Sequence, residues 1–407
     1  MKMKKGTLKL GYHTHIPAFQ KDGKIYMPGH IGFFIDALAK RCSSLVCFQH
    51  LPLKNEFEQM DYVLQSTNVT LINLGKRSRI PLRTLSALVK SPKIKKSGNN
   101  LDAIIIRTPT PLLPIFEKIL LEKIVLYIVG DYLSGIDYLN LPPFRKRIIK
   151  VWSKWIDRVQ FKLAKNNLTF VNGHHLYLKL KDKIDNLVEV HTTTIREKDF
   201  FMREDTCTVP PYKLLYCGRI IKEKGIMDLM QATLNLIRMG KAVVLELVGP
   251  IEKNEFLEEI IQFSKTNGIE DKIKYFGYRA AGDDLLSCYR NADIFVCPTQ
   301  ILSETYPRTI REAMASCLPV VATKVGSLPY YIDECSILVE PKDISSLTSA
   351  ILMLIEDKEL RKNNIKKALE VVKDDTVEKR AEELIVEIEK WIEGKLPICG
   401  GKYGMEE

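Results

Sequence analysis

No run of about 18 apolar residues occurs in the chain, so a membrane-spanning helix is not expected. The start, Met1-Lys-Met-Lys-Lys5, runs directly into the strand-like stretch at residues 8–12, without the apolar region of a signal peptide. The nine cysteines form no C-x-x-C, are odd in number and fall largely inside apolar stretches. Reduced buried thiols in a cytoplasmic protein are therefore expected. The seven histidines make no metal-ligand spacing, and His13, His15, His174 and His175 read as hydrogen-bonded loop residues. The turn after the first strand lacks G-x-G-x-x-G, which removes a dinucleotide fingerprint. Repeats and low-complexity segments are missing as well. Acidic residues are absent between Asp61 and Asp102.

What is present is a soluble globular composition, 45% apolar and 27% charged, in 407 residues, enough for two domains. The net charge of +11 is unevenly spread. Residues 1–205 carry 34 Lys+Arg against 18 Asp+Glu (+16), and residues 206–407 carry 27 against 32 (−5). A basic half suits a polyanion or an anionic membrane surface. Two segments concentrate the charge. The acid-free stretch holds Lys76, Arg77, Arg79, Arg83, Lys90, Lys93, Lys95 and Lys96. Residues 144–165 place Phe144, Ile148, Val151, Trp152, Trp155, Ile156, Val159 and Leu163 at spacings of three and four, among eight Lys and Arg. Such a helix either lies on anionic lipid or packs its apolar stripe on a sheet with its cations solvated.

The first half alternates short apolar strands (8–12, 45–49, 69–73, 103–107, 124–129, 168–171, 188–191) with helical stretches, which argues for a parallel sheet covered on both faces. Gly29 and Gly32, ahead of a helix over 33–41, either let backbone approach a ligand or are plain loop glycines. The pattern breaks at Arg203-Glu-Asp-Thr and Val209-Pro-Pro211, read as a linker over 200–212. Domains are expected at 1–205 and 206–384, with 385–407 returning to the first. The second half restarts with a strand at 212–217, then Gly218-Arg219 and Lys224-Gly225, where two cations five positions apart after a strand-end glycine suit a diphosphate. Strands at 242–248 and 272–276 end in Gly249-Pro250 and Gly277-Tyr278, and another spans 293–297. From Ser345 to Lys395 the chain reads as helix.

The stretch Ser303–Ala315, S-E-T-Y-P-R-T-I-R-E-A-M-A, organises this half. Pro307 suits a first helical turn, and Ile310, Ala313, Met314 and Cys317 recur at helical spacing. Glu304 then lies on the loop ahead of the helix and Glu312 inside it. The helix start favours a phosphate, and the two carboxylates can accept bonds from hydroxyls on either side. A sugar, a diphosphate and a ribose in that order meet all three demands. Two solvated glutamates on a surface helix are the plain alternative.

G-R-I-I-K-E-K-G (218–225), L-V-G-P (247–250), F-G-Y (276–278), A-D-I-F-V-C-P-T (292–299), E-T-Y-P-R-T-I-R-E-A-M-A, P-V-V-A-T and G-S-L-P together resemble a family-4 retaining glycosyltransferase of the GT-B fold. The resemblance covers the second half in order and the first half in outline. It implies α/β architecture of two Rossmann-like doubly wound domains facing across a cleft, the donor held by the C-terminal domain and the acceptor by the N-terminal one. By the resemblance, Arg219 and Lys224 hold the donor diphosphate, Glu304 the sugar hydroxyls and Glu312 the ribose. Backbone at Tyr306, Pro307, Arg308 and Thr309 caps the phosphate. Gly218 and Gly249 line the donor site, with Gly277 and Tyr278 at the base. Asp131 stands where the family has a histidine, and Gly29, Gly32 and Arg107 lie on the acceptor side. His191-Thr-Thr-Thr-Ile195 replaces the family's N-G-V-D.

The function expected is transfer of a hexose from a nucleotide diphosphate sugar to a hydroxyl of a polysaccharide, lipid-linked or other cell-envelope precursor. No cofactor or metal is expected, because Arg, Lys and a helix start supply the positive charge. Expected partners are the donor, a sugar or lipid-linked acceptor and an anionic membrane surface, not nucleic acid. The location expected is the cytoplasm or the inner face of the membrane. A nucleotide-sugar epimerase on the same fold and a non-catalytic sugar-nucleotide-binding subunit are the alternatives.

Overall fold

The structure is a computed structural model and describes residues 6–130, 142–302, 304 and 307–394. The chain divides into two compact units, 1–192 with 377–407, and 193–376.

In the first unit the strands are β1 (Lys9–His13), β2 (Phe19–Lys21), β3 (Lys24–Met27), β4 (Ser44–Leu51), β5 (Tyr62–Val63), β6 (Val69–Lys76), β7 (Ala103–Thr108), β8 (Ile124–Ile128), β9 (Thr169–Val171) and β10 (Leu187–Glu189). Seven pair in parallel in the order β10-β9-β8-β7-β1-β4-β6, matching the seven strands expected from the apolar runs. Between them lie α1 (Gly29–Ala39), α2 (Ile80–Val89), α3 (Ser91–Gly98), α4 (Leu113–Leu120), α5 (Pro143–Asn166) and α6 (His174–Leu180). Strands buried on both faces explain the near-continuous Ile and Val runs such as Ile104-Ile-Ile106.

The small antiparallel sheet β2-β3-β5 departs from the parallel pattern expected. Its hairpin turns at Asp22-Gly23, both at positive φ (51° and 75°), the geometry that a D-G pair favours in a two-residue hairpin. The α1 helix begins at Gly29, four residues before the start read from the sequence. Its Asp36 is buried and accepts bonds from Tyr62 Oη (2.7 Å) and the backbone N–H groups of Gln65 and Ser66, which ties the helix to the segment after β5.

The second unit holds β11 (Tyr212–Cys217), α7 (Ile226–Arg238), β12 (Val243–Val248), α8 (Asn254–Thr266), β13 (Ile273–Gly277), α9 (Asp283–Asn291), β14 (Ile294–Cys297), α10 (Arg308–Ala315), β15 (Val320–Thr323), α11 (Leu328–Ile332), β16 (Ile337–Val339), α12 (Ile344–Glu356) and α13 (Lys358–Val372). Its sheet is parallel, in the order β13-β12-β11-β14-β15-β16. Strand order therefore reverses between β11 and β14, the place where open α/β sheets leave a crevice at their carboxyl ends.

The segment expected as a linker, 200–212, is bound to this unit, so the division falls at 192/193 rather than 205/206. Phe201 N–H donates to Ala315 O (2.9 Å), and the Arg203 guanidinium donates to the carbonyls of Tyr289, Arg290, Ala292 and Ser316. Asp205 pairs with Arg361 of α13 at 2.8 and 3.1 Å. The chain leaves the second unit at 376, and α14 (Val377–Ile392) packs against α1 in the first, eight residues earlier than the return read at 385. The helical tail breaks at Asp357, whose side chain caps α13 by accepting from Leu360 N–H (2.9 Å).

Candidate active site

The carboxyl ends of the three strands on one side of the reversal finish in glycines that touch one another. Gly218 N–H donates to Val248 O (2.9 Å) and Gly249 N–H to Gly277 O (2.8 Å). Gly249 has φ of +136°, and a Cβ there would stand 1.8 Å from the Gly218 carbonyl oxygen. Three adjacent strand ends are thus kept flat and open, and backbone rather than side chain lines the edge. Tyr278 follows this row and is partly exposed.

Across the reversal, the loops after β11 and β14 are fastened together. Gln300 N–H donates to Glu223 O (2.9 Å), and Gln300 Nε2 to Asp228 Oδ2 (2.7 Å). Gly225, at φ +70°, lies so close to Pro298 that a Cβ would meet the Pro298 carbonyl oxygen at 2.0 Å. This fastening brings Lys224 to Glu304: Lys224 Nζ pairs with Glu304 Oε2, and Thr299 Oγ1 lies 3.4 Å from the same oxygen. Both side chains of the pair are mostly buried. Glu304 itself is pinned by its backbone, its carbonyl accepting from Ser327 N–H (3.0 Å) with Gly326 packed directly against it.

The α10 helix begins beside this pair. Pro307 is its N-cap residue, no side chain caps it, and no acid stands in its first turn, where Arg308 and Thr309 lie. The positive end of the helix is therefore not neutralised by its own residues. The body of α10 is fixed by burial of Ile310, Ala313 and Met314 and by Arg311, fully buried and paired with Asp375 at 2.9 Å. Nothing in the spacing of the sequence marked Arg311 or Asp375, 64 positions apart, as partners.

Glu312 and Arg219 sit differently from the simplest expectation. Glu312 is buried, accepting from Thr194 Oγ1 on Oε1 and from Tyr289 Oη on Oε2 (2.7 Å). Burial raises its pKa, against the lowering by these two bonds. A ligand hydroxyl would have to use its remaining lone pairs. Thr194 belongs to the run that replaces N-G-V-D, so the replacement supplies a carboxylate partner. Tyr289 carried no signal in the sequence. Arg219 is half exposed and paired with Glu252 (2.9 Å), on the strand edge but not on the Lys224–Glu304 pair.

Asp131 and Tyr306 lie outside the described residues. In the first unit, Gly29 N–H donates to Asp61 Oδ1 (2.7 Å). Gly32 is inside α1, and the Tyr62 ring fills the space a Cβ would take (2.2 Å). The close approach at Gly32 is thus made by the chain's own side chain. Arg107 is the penultimate residue of β7, its Nε buried and without a partner. Among the described residues no group of His, Cys, Asp and Glu could hold a metal ion.

Residues 198–371 match the family model described as Glycosyl transferases group 1. That stretch, most of the second unit, is similar to a glycosyl transferases group 1 domain. Over 149 residues it is 32% identical to the capsular polysaccharide biosynthesis glycosyltransferase CapM of Staphylococcus aureus, covering 36% of this chain and 37% of that one. Over 155 residues it is 32% identical to the MMP alpha-(1->4)-mannosyltransferase of Mycolicibacterium hassiacum, 36% of each chain. The matches span about a third of the length of these curated relatives. Among solved structures, sucrose-phosphate synthase of Thermosynechococcus elongatus superposes with a TM-score of 0.71 at 16% identity, over 95% of this chain and 100% of that one. HepE of Anabaena, in complex with UDP and glucose, does so with 0.66 at 16% identity, over 93% and 98%. The two α/β units are those of the GT-B fold.

Proposed function

We propose that the protein is a retaining glycosyltransferase that moves a hexose from a nucleotide diphosphate sugar to a hydroxyl of a polysaccharide, lipid-linked or other cell-envelope precursor. The observation that carries this reading is the Lys224–Glu304 pair beside the uncapped start of α10, at the strand-order reversal. The names of the relatives, a capsular polysaccharide glycosyltransferase and an O-antigen chain mannosyltransferase among them, support the substrate class.

In this reading the donor diphosphate lies on the helix start and takes Lys224 away from Glu304. Lys224, Arg219 and the helix end then stabilise the charge that develops on the departing diphosphate as the sugar becomes oxocarbenium-like. Glu304, released from its cation, accepts hydrogen bonds from the sugar hydroxyls. The glycine row at 218, 249 and 277 leaves room for the nucleoside, with Tyr278 at the base and Glu312 near the ribose. These charges make a metal unnecessary to the reading. The basic first unit attaches the enzyme to an anionic membrane surface on the cytoplasmic side through α2 and α5.

The test is transfer by the purified protein, with UDP-, GDP- and ADP-sugars as donors and the anomeric configuration of the product read by NMR. The expected result is a product of the donor's configuration, with Glu304→Gln lowering kcat/KM roughly 10- to 100-fold, as for a lost hydrogen bond to a charged group. Failure to bind or turn over any of these donors, or full activity in Glu304→Gln, contradicts the reading.

A further inference from the structure

Glu312 is buried in the second unit, and the chain supplies it with two hydroxyl partners from outside α10. The first is Tyr289 on α9. Its ring is fully buried in one core with Phe295, Ile310 and Ala313, the Phe295 ring centre 5.7 Å away. A phenylalanine would fill that space equally well. The hydroxyl is the part that needs a reason, because a buried hydroxyl costs stability unless it is bonded. It donates to Glu312 Oε2 at 2.7 Å. The second partner is Thr194, which donates to Glu312 Oε1. Its neighbours hold it there. Thr193 Oγ1 donates to Asp375 O (3.0 Å) and accepts from Ile195 N–H (3.2 Å), and Ile195 is buried in the same core as Tyr289. One hydroxyl thus stands on each carboxylate oxygen.

An ionised carboxylate offers about four acceptor positions, shared between its oxygens. Thr194 and Tyr289 take one on each oxygen, so one on each is left. Two acceptors side by side suit two adjacent hydroxyls of one ligand. A single donor would leave the carboxylate plane free to turn, whereas one on each oxygen fixes it. The arrangement exists only while Glu312 is charged, because a protonated carboxyl turns one of its oxygens into a donor. Burial raises the pKa of Glu312, and the bonds from Thr194 and Tyr289, with the positive charge of Arg308 one turn earlier on α10, work against that rise. Asp199 adds to the rise, and is itself engaged by Arg196 (2.8 Å). Cys217, at the end of β11, and the Tyr289 phenol stay neutral, since burial pushes both far above their usual values. Tyr289 is therefore still a donor wherever Glu312 titrates.

We infer that Tyr289 and Thr194 are positioning residues for the nucleotide: they hold Glu312 charged and oriented to accept from both ribose hydroxyls, and so select ribonucleotides over deoxyribonucleotides. The inference rests on the nucleotide-sugar donor reading and adds to it the two residues on which the ribose contact depends.

The test compares the dissociation constants of UDP, GDP and ADP with those of their 2′-deoxy forms, in the full chain, across the pH range in which it stays folded. The ratio of the two constants cancels the titration of the phosphates. The wild type is expected to favour the ribonucleotide roughly tenfold or more, as for a hydrogen bond to a charged group. That preference is lost as pH falls through the pKa of Glu312, and in Glu312→Gln it no longer depends on pH. In Tyr289→Phe the carboxylate loses a donor, its pKa rises further, and the preference is lost at a pH higher by roughly one unit or more. Thr194→Val is expected to shift the same way, and Thr194→Ser, which keeps the hydroxyl, to follow the wild type. Each substitution is read by itself, so one that fails to fold leaves the other to decide. A wild type that binds both forms equally, or a ratio and pH course in the folded variants that match the wild type, overturns the inference while the donor reading stands. Equal weakening of ribo and deoxy forms with an unmoved pH course does the same, since packing alone would give it. Binding of none of the three diphosphates fails the donor reading, and this inference with it.

Discussion

Lys224 and Glu304 pair with each other, and in the proposed reading a bound donor replaces each as the other's partner. A mostly buried ion pair at a helix start gains from its partner but loses hydration, and exchange of each member for a diphosphate or a hydroxyl keeps both satisfied. The glycines around the pair are as constrained as the charges. Gly249→Ala would put a methyl carbon 1.8 Å from a backbone oxygen at a φ of +136°. The expected cost is about 1–3 kcal/mol of stability, with loss of nucleotide binding because the Gly218–Arg219 turn must move. Thermal unfolding and a nucleotide titration of the variant check this, and an alanine tolerated in both contradicts it. At this scale the sequence was most legible where chemistry is local. Gly218, Gly249 and Gly277 could be picked out because each closes a strand, and Glu304 because it precedes a proline-started helix. Tyr289, Thr194, Arg311 and Asp375 could not, since each is defined by a partner far away in the chain.

Among the elements, α10 and α5 show how a periodic pattern is read. In α10 the apolar spacing is right, but the helix is anchored by a buried ion pair. Arg311→Met is expected to cost about 3–5 kcal/mol, because Asp375 is left buried without its guanidinium; urea unfolding measures it, and a change within about 0.5 kcal/mol refutes the anchoring role. In α5 the apolar stripe is buried in one part of the helix and bare in the other. Ile156 and Leu163 are buried, whereas Phe144, Ile148, Val151 and Trp155 are exposed by half or more. The α2 helix exposes Leu82, Leu85, Leu88 and Val89 in the same way. Cations interleaved with bared apolar side chains suit anionic lipid. Co-sedimentation with phosphatidylserine vesicles should fall as salt rises and fall further in Phe144→Ser/Trp155→Ser. Equal binding to neutral vesicles contradicts this. The β2-β3 hairpin was legible at Asp22-Gly23 but is short enough to be lost among stronger apolar runs.

For the whole molecule, the fold class was written in the alternation of strands and helices: the seven strands of the first sheet follow it, as do β11 to β14 of the second, whereas the three-residue β16 at the sheet edge was not read. The boundaries were less legible. A stretch rich in proline and charge looks like a free linker, yet Arg203 and Asp205 bind residues 200–212 to the second unit. Charge divides with the units, +14 for 1–192 with 377–407 (36 − 22) and −3 for 193–376 (25 − 28). The central claim is that a diphosphate binds between the start of α10 and Lys224. Calorimetric titration of UDP, GDP and ADP into the wild type and Lys224→Met tests it most directly. The account predicts saturable one-to-one binding of at least one of them, weakened roughly 10-fold or more in Lys224→Met. Binding of none, or equal binding by both proteins, would contradict it.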